Sequence, residues 1–246
     1  MRRRRLRWCA VLPVALLLGA LVLRSTTQDT YDWVVDEDGP VEWATVLVYL
    51  AAALLAVTAV RRMHRAQQRF AVVVWSLLGA AFVGVAVEEV SWGQRALGFD
   101  GPQALVQRNR QQEANLHNLL RRPYLHGAYI AVGVYGAGVG RSLLRRIPWT
   151  RSRCWYLAPG PQAGWCFGVL AAVYLYYELG EPVAESLIGP HADSLALGLS
   201  RLQEVGELCL ALGFLLFALA AAREARCRAQ RDAPRPMPEA SGRPRG

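Results

Sequence analysis

An all-α membrane bundle of six transmembrane helices is the fold class that this sequence predicts, and three observations predict it. Apolar runs of about 20 residues, the length needed to cross a bilayer, recur along the chain. Charge is sparse: of 246 residues, 53% are hydrophobic and 19% charged, against about 25% charged in soluble domains. All 28 basic residues are arginines, gathered mostly into short clusters between the apolar runs.

The first run, Leu6–Leu23, follows the string MRRRRLR. No convincing small-x-small cleavage site comes after it, so it is expected to stay as an anchor and not to be removed as a signal peptide. Val41–Val60 and Phe70–Val87 form the second and third spans. Tyr124–Leu144 is the fourth, with Gly133, Gly136 and Gly140 spaced for close helix packing. The fifth, Ala163–Tyr177, is short, and its helix should continue to Glu181 before Pro182 stops it. Glu204–Ala222 is the sixth. Residues 1–222 thus read as one bundle. The Arg- and Pro-rich tail over 223–246 has no apolar face and is expected to be disordered.

Arginine placement orients the bundle. Twenty-one of the 28 fall in the N-terminal string, Arg61–Arg69, Arg141–Arg153 and the tail, and seven in the segments between. Positive residues stay on the cytoplasmic side, so six spans with both termini in the cytoplasm separate the two sets best. The net charge of +9 is carried by these clusters, which suit membrane orientation and not a phosphate backbone. Nucleic acid is therefore not an expected partner, and the lipid bilayer is. The five cysteines make no CxxC pair, so neither a disulfide framework nor a cysteine metal site is expected. No P-loop, HExxH or GxSxG string is present.

Acidic residues take the opposite side. Sixteen of nineteen fall on the outer side or at span ends facing it, although acids contribute little to orientation. Glu88 and Glu89 close the third span. Glu178, Glu181 and Glu185 follow the fifth at i, i+3 and i+7, and Glu204 and Glu207 open the sixth at i, i+3, each set on one helical face. In the 92–123 loop, Asn109, Glu113 and His117 recur at i, i+4 and i+8, opposite Leu105, Leu116, Leu119 and Leu120. That pattern predicts an amphipathic helix over the bundle mouth. Glutamates at the start of a helix suit its dipole, which accounts for Glu204; Glu88, Glu89 and Glu178 at helix C-termini run against it. Ionisable groups at membrane depth cost about 2.5–3.5 kcal/mol on insertion scales and point to function. A structural ion network with Arg95, Arg108, Arg110, Arg121 and Arg122 is the alternative. His126 and His191 stand isolated and are set aside. Trp92, Trp165, Tyr174, Tyr176 and Tyr177 read as interfacial anchors.

The string Glu88-Glu89-Val90-Ser91-Trp92-Gly93-Gln94-Arg95, followed by Gln112-Glu113-Ala114-Asn115-Leu116-His117-Asn118, resembles a signature of a family of small, uncharacterised bacterial polytopic membrane proteins (E-E-x-S-W-G-Q-R, then Q-x-x-N-L-H-N). The resemblance covers about thirty residues. It implies the layout above in a bacterial cytoplasmic (inner) membrane, and no activity.

From the residues themselves, Glu88, Glu113, His117, Glu178 and Glu207 are the expected acid–base core of an enzyme acting on a lipid or isoprenoid-linked substrate. Glu89, Trp92, Gln94, Arg95, Asn109, Asn118, Glu181 and Glu204 are the expected substrate-binding groups. A divalent cation is a variant: Glu88, Glu113 and His117 would suit Mg, Mn or Ca better than zinc. A transporter, or a structural part of an envelope complex, is the competing reading. Depth discriminates: acids converging in one place favour the enzyme, and a polar track running inward favours transport.

Overall fold

The computed structural model describes residues 2–36, 38–94, 98, 121–147, 156–180, 183, 186–187 and 201–231. Among them there is no strand. The helices are α1 (Arg2–Thr26), α2 (Gln28–Val35), α3 (Pro40–Arg65), α4 (Arg69–Glu89), α5 (Arg122–Val134), α6 (Gly140–Arg146), α7 (Pro161–Leu175) and α8 (Leu202–Arg231). A 3-10 turn at Ser91–Gly93 follows α4. Turns of π type at Tyr135–Val139 and Tyr176–Gly180 follow α5 and α7.

Local chemistry sets these boundaries. Pro40 and Pro161 open their helices directly after Gly39 and Gly160, where a missing N–H and a fixed φ cost nothing. Gly39 admits no side chain, because a Cβ there would lie 2.6 Å from the Asp36 carbonyl oxygen. After α3, Gln67 takes the left-handed conformation at φ 53° and turns the chain back into α4.

Three stretches are long and apolar enough to cross a membrane: Gln28–Arg65, Arg69–Glu89 and Leu202–Gln230, with a shorter apolar helix at Val11–Thr26. The expected runs Tyr124–Leu144 and Ala163–Tyr177 are helical as well, but each is interrupted or extended by a π turn. Leu47, Leu54, Phe70, Val73 and Leu77 lie more than half exposed on the outer faces of α3 and α4. In water so much exposed apolar surface would be a liability; in hydrocarbon it is the lipid face. The chain is a membrane protein on these grounds.

α8 lies between α3 and α7; α4 packs on α3, while α5 and α1 pack on α7. Small residues line the main seam. Ala52, Ala56 and Ala59 of α3 and Ala211, Ala218 and Ala221 of α8 are each at most 2% exposed, so the two backbones approach closely and gain dispersion contacts. The α5–α7 seam uses glycine for the same purpose. A methyl on Gly133 would lie 2.9 Å from the backbone nitrogen of Ala171 and the carbonyl oxygen of Phe167. Backbone cannot give way, so Gly133→Ala should push α5 off α7 and cost about 1–3 kcal/mol. A fall in the thermal unfolding temperature in detergent would show it; an unchanged temperature would contradict so tight a seam.

Helix direction sorts the charges. Arg61, Arg62 and Arg65 end α3, Arg69 opens α4, Arg145 and Arg146 end α6, and Arg223 to Arg228 lie late in α8. At the other end stand Glu42 of α3, Glu88 and Glu89 of α4, Glu178 beyond α7, and Glu204 and Glu207 of α8. One expected boundary moves: α8 continues to Arg231, past the start of the tail expected at residue 223. Its last turns lack proline, Arg228 pairs with Glu224 at 2.9 Å one turn away, and Ala225 is 1% exposed against the core, which together carry the helix onward.

Candidate functional site

The acidic end is built from the last turn of α4 inward. Glu88 and Glu89 are neighbours in sequence but point about 100° apart around a helix of 3.6 residues per turn. Glu88 turns outward and accepts a hydrogen bond from Trp92 Nε1 at 2.6 Å. That contact needs an unusual backbone: Ser91 and Trp92 sit at φ 46° and 57°, ahead of Gly93 at 78°. Left-handed geometry at a tryptophan is costly and concentrates at functional sites. Ser91 is fully buried beneath the turn.

Glu89 points into the bundle. The charges that act on its carboxylate are those of Glu207, then Glu204, Glu42 and Glu88, so acids from α3, α4 and α8 share one region. Among the described residues Glu89 makes no hydrogen bond and no ion pair. Glu207 is held from α7, accepting a hydrogen bond from the Tyr174 hydroxyl at 2.5 Å. Tyr174, at 1% exposure, stacks on Tyr129 of α5 with ring centroids 4.5 Å apart. The phenols of Tyr129 and of Tyr49, from α3, both lie in the field of Glu207 and Glu89. Glu42 is buried and accepts the backbone N–H of Asp38.

A second polar group adjoins the first. His126 of α5 is 3% exposed, with Nδ1 2.6 Å from Glu178 Oε1 and Nε2 3.4 Å from the Gln203 amide nitrogen of α8. A neutral imidazole carrying its proton on Nδ1 satisfies both contacts, donating to the carboxylate and accepting from the amide. Its ring meets Tyr174 edge-on at 5.0 Å, so the two polar groups share a wall.

Below the carboxylates the core closes with aromatic rings. Phe82 and Phe214 lie 5.0 Å apart, Phe167 meets Phe214 edge-on at 5.2 Å, and Tyr49 caps Phe82 at 6.1 Å. The polar region thus ends on an apolar floor.

Of the expected site residues, Glu89, Glu178, Glu204 and Glu207 come together here. Glu88 contributes its charge from the rim with Trp92, which is half exposed, and Gln94 follows the turn, half-buried. Arg95, Asn109, Glu113, His117, Asn118 and Glu181 lie outside the described residues, as does the expected loop helix. Two expectations are corrected. His126 is no isolated histidine, because the fold carries it to Glu178. Tyr174 and Tyr177 are not interfacial anchors: at 1% and 5% exposure they are interior groups facing α5 and α8. Tyr49, Tyr129, Gln203 and Glu42 were not singled out in the sequence. Helical spacing from an already suspected acid would have found one of them, since Gln203 and Glu207 stand at i, i+4.

Among the described residues no group of three His, Cys, Asp or Glu side chains is placed to hold a metal ion. Arg201 pairs with Asp36 at 2.8 Å at the exposed edge. No family model matches this chain, and no curated protein or solved structure matches it.

Proposed function

We propose that this protein is an enzyme of a bacterial cytoplasmic membrane, acting by acid–base chemistry on a lipid or isoprenoid-linked substrate at the extracytoplasmic face. In this reading α1, α2 with α3, α4, α5 with α6, α7 and α8 form six crossings, with the arginine-rich end in the cytoplasm. The observation that carries the proposal is the approach of Glu89 and Glu207, from two helices, beneath buried phenols. Two carboxylates in one apolar setting divide labour, one donating a proton while its ionised partner accepts one or stabilises positive charge. Tyr174 fixes the orientation of Glu207, and the Glu178–His126 pair steadies the wall behind it; these are positioning residues. Glu113 and His117 of the preceding loop belong to the same mouth in this reading.

A carrier would need a polar path onward, and the Phe82–Phe214–Phe167 floor argues against it. A plain ion network would give each acid its own cation, and Glu89 has none among the described residues. The test is reconstitution into vesicles of bacterial polar lipids supplemented with polyprenyl phosphates, followed by lipid mass spectrometry. Wild-type protein should consume or form a lipid species that Glu207→Gln protein leaves unchanged. Identical lipid profiles for the two proteins and for empty vesicles would sink the enzyme reading.

A further inference from the structure

We propose that Arg24 and Tyr31 form a binding site for a phosphate group where α1, α2 and α8 meet. The site does not depend on the enzyme reading. Two buried donors carry it. The Nη1 nitrogen of Arg24 and the hydroxyl of Tyr31 are both shut away from solvent, and neither has a hydrogen-bond partner among the described residues. Buried polar atoms ordinarily find one, and a charged group left bare is the costliest case. The two donors belong together, since the guanidinium carbon stands 6.0 Å from the centre of the Tyr31 ring. Tyr31 is 2% exposed and sits in the apolar cluster of Val169, Val173, Leu202 and Val205, which fixes the ring.

The usual roles of an arginine at this position are closed to Arg24. At a helix C-terminus a cation serves the last carbonyls. Those of Val22 and Leu23 already accept from Ser25 Oγ at 2.8 Å, Thr26 Oγ1 at 2.9 Å and the Thr27 backbone N–H at 2.8 Å. Arg24 also pairs with no acid among the described residues. Asp32, Arg201 and Glu204 are the other charges around the Tyr31 hydroxyl, and Arg201 pairs with Asp36 at 2.8 Å. Two positive and two negative charges balance there, and Arg24 is the cation left to hold an anion. Both donors need acceptor oxygens, and a guanidinium fork beside a hydroxyl matches those of a phosphate. That phosphate could belong to a lipid headgroup or be free. Position favours the lipid: Leu18 and Val22, on the turns before Arg24, are more than half exposed, so the guanidinium stands where hydrocarbon gives way to headgroups.

Isothermal titration of the full chain, purified in a neutral detergent, tests this with dihexanoyl-phosphatidylglycerol and inorganic phosphate as probes and dihexanoylglycerol as control. Saturable binding of the phospholipid is expected, weakened about tenfold or more by Arg24→Gln and by Tyr31→Phe, with none for dihexanoylglycerol. Tyr31→Phe keeps the ring and removes a hydroxyl that has no partner, so the unfolding temperature without ligand should not fall. Its effect therefore reads the site and not the fold. Binding of the phospholipid alone assigns the site to a headgroup; equal binding of inorganic phosphate assigns it to the free anion. Binding that Arg24→Gln weakens and Tyr31→Phe leaves intact would make Arg24 a surface charge only and overturn the proposal. So would dihexanoylglycerol binding as tightly as the phospholipid, affinity indifferent to both substitutions, or no binding of either phosphate.

Discussion

Glu89→Gln and Glu207→Gln are each expected to reduce lipid turnover by about 10²–10⁴-fold, the range of a general acid or base, and Glu89→Gln to raise the unfolding temperature of the protein in detergent. The two effects have opposite signs for one reason. Glu89 stands in the fields of Glu207, Glu204, Glu42 and Glu88, and every like charge held near another at low dielectric opposes folding. Glutamine is nearly the same size, cannot ionise and keeps a carbonyl oxygen, so the Tyr174 hydroxyl that bonds Glu207 Oε1 at 2.5 Å would retain an acceptor in Glu207→Gln. Repulsion falls and packing is preserved. Groups that catalyse are commonly ones that the fold would be more stable without. Glu178→Gln is the contrasting case: it weakens a charge-assisted contact of 2.6 Å to buried His126, so stability should fall. Turnover assays and thermal unfolding on the three variants separate these outcomes. If Glu89→Gln and Glu207→Gln were destabilising and left turnover intact, both carboxylates would be structural.

How much of this site is legible in the sequence depends on whether its partners are local. Glu204 with Glu207, and Glu88 with Glu89, announce themselves because acids at the ends of apolar runs stand out against their neighbours. The choice between Glu88 and Glu89 is subtler, since it turns on how α4 is rotated. The buried residues Trp75, Phe82 and Ala86 form one stripe at intervals of seven and four, and three more residues along it stands Glu89, so the inward acid could have been read from that stripe. His126 could not. Its partner Glu178 is 52 positions away on another helix, and no local spacing encodes which helices meet. The arginine clusters show the same limit from the other side: they mark where apolar stretches stop, yet α8 outruns its apolar stretch because a Glu224–Arg228 pair and a buried Ala225 sustain it.

The largest stability effect is expected at Phe167, where three helices meet. Its ring is 1% exposed and packs edge-on against Phe214 at 5.2 Å. A Cβ on Gly136 would fall within the ring of Phe167, and one on Gly213 would lie 3.0 Å from Phe167 Cε2. Glycines on α8 and on the π turn after α5 therefore hollow out the slot that this side chain fills. Phe167→Ala should cost about 3–5 kcal/mol, combining lost contacts with a cavity the rigid helices cannot collapse. Gly136→Ala alone should also destabilise, by about 1–3 kcal/mol, through overpacking against the ring. Together the two changes relieve each other, since the new methyl enters the vacated slot. A double-mutant cycle on unfolding in detergent should return a favourable coupling of about 0.5–3 kcal/mol. Strict additivity would mean that the ring and the glycine do not share that space.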